Sequence, residues 1–309
     1  MPRIIIGVDG SERSEEALAF GRALAAAGGA HVTVANAYRW EPPASRVGGD
    51  AYVEYLRHDS ERTLRETADP LRDLPGLELR SVPDRSPARG LQSLAEQEHA
   101  DLIVVGSSHT GRLGRVLPGS TAERLLHGAP CPVVVVPVGC GPSAGRGFET
   151  VACAWDGTPE SEMALVAAED LARAMGASLR VVRIFEPQFY ATPPGLGYGY
   201  PSLIEGVRQH AGQALQERLA HLSEDVEAVG ELREGDPRHE LVRASESADL
   251  LVMGSRGFGP LRAVLLGGVS GPVIRSAACP VMVVPRGAEA TAVPAFAHIA
   301  AHAADGEPA

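Results

Sequence analysis

The sequence has no lysine: all 28 of its basic residues are arginine. This excludes a Walker A lysine, a Schiff-base lysine and a kinase-type strand lysine. Any phosphate site must instead use backbone amides, hydroxyls and arginine. Cysteine is scarce, and Cys131, Cys140, Cys153 and Cys279 form no CxxC pair. Pro130-Cys-Pro132 and Ala278-Cys-Pro280 each precede a Val-rich run, so these cysteines read as small buried hydrophobes rather than redox or metal ligands. Long apolar runs are also missing. Val133 to Val136 is typical and falls far short of the roughly 20 residues that span a bilayer. Basic excess is absent too: the net charge of −11 argues against a nucleic-acid surface. Met1-Pro2-Arg3 passes directly into Ile4-Ile-Ile-Gly-Val-Asp9, which reads as a strand rather than a signal peptide. The expectation is a cytoplasmic protein with no membrane and no nucleic-acid partner. His298 and His302 lie four apart, but two histidines make a poor metal site, and no protein metal site is expected.

What the chain does have is a glycine-rich unit written twice. Asp249-Leu-Leu-Val-Met253 reads as a buried strand and leads into Gly254-Ser-Arg-Gly-Phe-Gly-Pro-Leu-Arg-Ala-Val-Leu-Leu-Gly-Gly-Val-Ser270. Asp101-Leu-Ile-Val-Val-Gly106 leads into Ser107-Ser-His-Thr-Gly-Arg-Leu-Gly-Arg-Val-Leu-Pro-Gly-Ser120 in the same way, 148 residues earlier. Strand, glycine loop and helix start form a recipe for holding phosphate, because backbone N–H groups converge where no Cβ obstructs them and the helix dipole favours an anion.

The rest of the chain follows the same repeat. In the first half, strands are expected over 3–9, 31–37, 77–82, 101–105 and 131–137. Helices are expected over 14–27, 50–71, 87–99 and 121–127. Tyr52, Tyr55, Leu56 and Leu64 are the inward positions of the long second helix, and Ser11 or Ser14 caps the first. In the second half, strands are expected over 151–156, 179–184, 226–233, 250–253 and 281–284. Helices are expected over 161–175, 203–222 and 237–247, with a further helix turn at 272–276. The alternation predicts an α/β fold of two repeated domains, each a doubly wound, five-stranded, mostly parallel sheet flanked by helices. The domains are expected at 1–138 and 149–286, with a Gly/Pro/Ser linker at 139–148 and a disordered or weakly helical tail at 287–309. In such sheets the ligand cleft lies beyond the carboxyl ends of the strands, where Asp9, Gly106, Asp156 and Gly254 all fall.

Each half resembles a universal stress protein domain, and the whole resembles a tandem one. The carrying features are the acid-glycine pair after strand one, the glycine loop after strand four and a closing Cys-Pro-Val-rich strand. The resemblance implies a Rossmann-like, adenine nucleotide alpha hydrolase-like fold that binds ATP, often with a divalent metal such as Mg. It implies that the acid after strand one lies near the nucleotide, that the end of strand two borders adenine, and that the loop and its hydroxyl hold the phosphates. Carried onto this sequence, the first-half residues are Asp9, Gly10, Ala37, Gly106, His109, Gly111, Arg112, Gly119, Ser120 and Thr121. The second-half residues are Asp156, Gly157, Ile184, Gly254, Gly257, Gly259, Gly267, Gly268, Val269 and Ser270. No catalytic residue is implied. The resemblance also implies that the two halves pair through their fifth strands as a pseudo-twofold unit, and it leaves a homodimer of chains open.

Both halves depart from the pattern. His109 replaces the second loop glycine, which costs about 1–2 kcal/mol if φ must be positive. Gly268 replaces a hydroxyl whose hydrogen bond to phosphate is worth about 1.5–3 kcal/mol. Glu234-Gly-Asp-Pro237 tilts the choice slightly toward the second site. Blander roles compete: Asp9 and Asp156 could only cap helices, the glycines could only permit tight packing, and Arg112, Arg115 and Arg262 could be surface residues. Three functions stay open: an ATP-binding stress or signalling module, a slow ATPase or phosphotransferase, and a nucleotide-free interaction protein.

Overall fold

The computed structural model describes residues 1–40, 49–107, 120–140, 147–187, 200–255 and 268–285. The first half runs β1 (Arg3–Gly7), α1 (Glu12–Gly28), β2 (His31–Arg39), α2 (Gly49–Thr67), a 3-10 turn (Asp69–Leu71), β3 (Glu78–Asp84), α3 (Pro87–Glu98), β4 (Leu102–Gly106), α4 (Ser120–Leu126) and β5 (Val133–Val136). The second half repeats it as β6 (Thr150–Ala154), α5 (Pro159–Met175), β7 (Ser178–Phe185), α6 (Tyr200–Leu219), β8 (Ala228–Glu234), α7 (Pro237–Ser245), β9 (Leu250–Gly254), α8 (Ser270–Ser276) and β10 (Val281–Val284).

All ten strands join one sheet in the order β3-β2-β1-β4-β5-β10-β9-β6-β7-β8. Pairing is parallel within each half. Among the described residues only the central pair is antiparallel, with Val135 opposite Val281 and Val133 opposite Val283. Alternate residues of each strand feed opposite faces, as the two-residue strand period requires. Ile4 and Ile6 belong to one core layer, which also holds Phe20 of α1 and, in the second half, Leu165 of α5. Ile5 belongs to the layer on the opposite face, which also holds Leu91 of α3, Leu125 of α4, Leu241 of α7 and Ile274 of α8. Because helices cover both faces, the central strands are apolar throughout. Phe20 of α1 also meets Phe148 edge-on, with ring centroids 5.3 Å apart. Phe148, placed in the linker by composition, is therefore a buried residue joining the halves.

Three local expectations need correction. The helix expected over 50–71 ends at Thr67, and Pro70 sits in a separate 3-10 turn. Tyr52 and Tyr55 are not inward: they are 60% and 64% exposed. The inward stripe of α2 is instead Val53, Leu56, Ser60 and Leu64, spaced three or four apart, which leaves both tyrosines on the next face. Ser11 stands at the N-cap of α1 but makes no side-chain cap bond, and Ser14 lies inside the helix. Both hydroxyls are turned to Asp9 instead. The tail and residues 141–146 of the linker lie outside the described residues.

Candidate functional site

Within each half the sheet order reverses between the first strand and its two neighbours, at β1 and at β6. A cleft opens beyond the carboxyl ends of the strands at each point, where open α/β sheets place their ligands. The first cleft has a volume of about 530 Å³ and brings together Asp9, Ala37, Gly106 and Thr121. The second, of about 260 Å³, brings together Asp156, Ile184, Gly254, Gly268, Val269 and Ser270. Gly10 borders a different groove, between α1 and α2. Gly157 lies in the turn after β6 but does not line the second cleft. Ser120 opens α4. His109, Gly111, Arg112, Gly119, Gly257, Gly259 and Gly267 lie outside the described residues, as do Arg115 and Arg262.

The acid-glycine turns are built alike. Gly10 and Gly157 have φ of +77° and +84°, a backbone region that favours glycine. Asp9 Oδ1 accepts hydrogen bonds from the Ser11 amide at 3.0 Å, from the Ser11 hydroxyl and from the Ser14 hydroxyl at 2.9 Å. Asp156 Oδ1 accepts from the Thr158 amide at 3.1 Å and its hydroxyl at 2.6 Å. Thr158 is the true cap of α5, accepting from the Ser161 amide. The acids therefore hold the turns; two positions on, Thr158 also caps α5, whereas Ser11 makes no side-chain cap bond to α1. Burial pushes the Asp9 carboxyl up, but the bonds from Ser11 and Ser14 and the charge of Arg13 outweigh it and hold it below its ordinary value. A depressed acid stabilises the fold above its unfolded pKa and loses that contribution as pH falls through the folded value. Below pH 3.8, wild type should therefore lose stability that an Asp9→Asn variant has already lost. Parallel acid-unfolding curves for the two chains would contradict this.

Gly106 and Gly254 have a packing role. A Cβ on Gly106 would stand 2.4 Å from the Arg13 carbonyl oxygen, and one on Gly254 would stand 2.4 Å from that of Glu160. The first turn of the helix that follows each half's first strand, α1 or α5, thus lies directly on the end of its fourth strand. Gly254→Ala should cost about 1–3 kcal/mol through overpacking against backbone. An unchanged denaturation midpoint would show that the helix yields freely.

The structure also adds residues that composition and spacing did not single out. Arg13 lines the first cleft, and Trp155, Glu160 and Glu186 line the second. Their available signal was position: the first helical turn and the strand ends face the same edge as the acids. Trp155 is further fixed by its Nε1–H, which donates to Glu162 at 2.7 Å, and by the Arg183 guanidinium 4.9 Å over its ring. The four cysteines are free, and Cys131, Cys153 and Cys279 are buried. Burial pushes the Cys131 thiol up to about 12, so it is protonated at neutral pH. Among the described residues, no group of three or more His, Cys, Asp or Glu could hold a metal, and no helix is long and apolar enough to cross a membrane.

Comparison with known proteins agrees with this architecture. The universal stress protein family matches residues 1–137 and again 147–285. A universal stress protein of Mycolicibacterium smegmatis is 33% identical over 292 residues, covering 91% of this chain and 96% of that one. One from Mycobacterium tuberculosis is 30% identical over 290 residues, with 91% and 96% coverage. Among solved structures, a universal stress protein from Archaeoglobus fulgidus superposes with a TM-score of 0.72 at 22% identity, covering 92% of this chain and 98% of its own. With a double family match, near full-length relatives and two copies of one sheet-edge cleft, the chain belongs to the universal stress protein family as a tandem member.

Proposed function

We propose that this chain is an ATP-binding module of stress response or signalling, with a nucleotide site in each half. The observation that carries the reading is the second cleft. There the acid after β6, the end of β7, the glycine ending β9 and the segment Gly268–Ser270 converge on one cavity. These are the positions that the family resemblance relates to nucleotide, and they come from four separate parts of the chain. The first cleft repeats three of the four, with Thr121 supplying a hydroxyl. Small-molecule sites commonly measure about 300–1,000 Å³. The first cleft falls inside that range and the second just below it.

The residues present fit magnesium delivered with the nucleotide. Magnesium retains several waters and is usually held by one or two carboxylates together with substrate phosphates, which Asp9 or Asp156 can satisfy without a protein metal cage. The metal would neutralise phosphate charge. Binding would act by favouring one conformation or assembly over another, in proportion to the difference in affinity.

The test is mass analysis of what purified protein releases on denaturation, followed by melting with added Mg-ATP. Co-purified ATP, or a rise in stability of about 2.7 kcal/mol at a hundredfold excess over Kd, is the expected result. Release of ADP with turnover would indicate hydrolysis instead. A chain that arrives empty and melts identically with Mg-ATP would end the nucleotide reading.

A further inference from the structure

Strand register matches the two clefts residue by residue. Arg3 pairs with His31 where Thr150 pairs with Ser178, and Ile4 pairs with Leu102 where Val151 pairs with Leu250. By that register Gly7, Ala37 and Val105 stand where Ala154, Ile184 and Met253 stand in the second half, and all six line their clefts. The helix above contributes a leucine to each, Leu91 of α3 and Leu241 of α7. At each of the three differing positions the second cleft carries the larger side chain. Its volume is correspondingly smaller, about 260 Å³ against about 530 Å³. Ala37, Val105, Ala154, Ile184 and Met253 all belong to, or pack against, the core layer that holds the two leucines. Each cleft thus has one apolar wall built entirely from strand ends and a helix, and the two walls differ in bulk.

An apolar wall suits the flat ring of a ligand rather than its phosphates. Resting on the nucleotide reading above, we infer that Ile184 and Met253 determine specificity: they hold the second cleft to a base of adenine's size, while the first admits a bulkier one. Close-packed side chains have little room to give, so an added ring beside Ile184 and Met253 forces them out of their preferred rotamers. Ala37 and Val105 leave that space open. One chain thereby carries a permissive site and a selective one. Gly7 cannot be enlarged without disturbing α3, because a Cβ there would stand 2.9 Å from Leu91 Cδ1. The exchange of wall residues is therefore made at the other two positions.

The experiment is calorimetric titration of the full chain in excess magnesium, once with ATP and once with etheno-ATP, whose adenine carries an additional fused ring. The expected stoichiometry is two ATP per chain but one etheno-ATP. Ile184→Ala should raise the etheno-ATP value to two, and Ala37→Ile should lower it to zero while two ATP still bind, each change shifting the affinity of its own cleft for the larger base roughly tenfold or more. Ligand-free melting establishes that each variant folds; where one does not, Met253→Val or Val105→Met alters the same wall. Two etheno-ATP per wild-type chain, none, only a single ATP, or an Ile184→Ala chain that still takes one etheno-ATP would each overturn the inference while nucleotide binding itself survives. Absence of binding by both compounds removes the nucleotide reading, and this inference with it.

Discussion

Val135→Asp should unfold the chain or separate its halves. Val135 is buried in the four-residue strand β5, directly opposite Val281 of β10. Its side chain belongs to the layer formed with α3, α4, α7 and α8. No water reaches that position to solvate a carboxylate. An ionised group there is costly, and a protonated one still lacks a hydrogen-bond partner, so the loss should be several kcal/mol. Domains are typically stable by only about 5–15 kcal/mol, so this is a large fraction of the total. The antiparallel ladder between β5 and β10 is the strand pairing that joins the two halves, and the damage should reach both. Denaturant unfolding and hydrodynamic radius measure it. A matched control is Val138→Asp, just beyond the strand, where the side chain is 54% exposed and the change should stay within about 0.5 kcal/mol. If the two variants behaved alike, the junction would not be a buried seam.

The second large effect is expected at another contact between the halves. Phe20 is among the largest fully buried side chains, and its ring meets Phe148 at an interplanar angle of 86°. Phe20→Ala should cost about 3–5 kcal/mol, from lost transfer energy and the cavity left behind. Part of that cost belongs to the pair itself, since edge-to-face aromatics contribute about 0.5–1.5 kcal/mol beyond their burial. A double-mutant cycle isolates that part: Phe20→Ala and Phe148→Ala together should cost less than the sum of the single changes. Additive costs would mean that the rings are neighbours without being energetically coupled, and that α1 is anchored by its own half alone.

Much of the architecture was legible because it is written in local patterns. Val133 to Val136 and Val281 to Val284 read as strands from their β-branched runs and flanking prolines, and the structure places strands at those positions. Helix α3 begins at Pro87, as its sequence predicts, and α5 ends at Met175 before Gly176, which adopts a left-handed cap with φ of +64°. Helix α2 was harder. Its exposed tyrosines mislead because apolar residues at 52, 53, 55 and 56 fit two neighbouring stripes, and only Ser60 and Leu64 decide between them. A buried serine is invisible to a hydrophobic pattern, although here its hydroxyl accepts from Ser81 across the α2–β3 contact at 2.8 Å.

The candidate site divides along the same line. Asp9, Gly106, Asp156 and Gly254 could be placed on one sheet edge from the alternation of strand and helix, and the family resemblance added Ala37 and Ile184; all six line the two clefts. Arg13 and Glu160 offered only a weaker signal, their place in a first helical turn. In the sequence they are polar residues near a helix start, like many others, and only the approach of their carbonyls to Gly106 and Gly254 fixes them at the cleft mouths.

The sequence alone determined the tandem repeat, the alternation of strand and helix, and the residues that end each parallel strand, because these depend on periodicities of two and about 3.6 residues and on turn chemistry. Tertiary structure decided the rest: the antiparallel register of Val135 on Val281, the glycines that let a helix rest on a strand end, and the gathering of residues from separate elements at each cleft. These are contacts between distant segments, set by how closely packed elements approach one another, and close packing is a property of the assembled pair rather than of either stretch of chain.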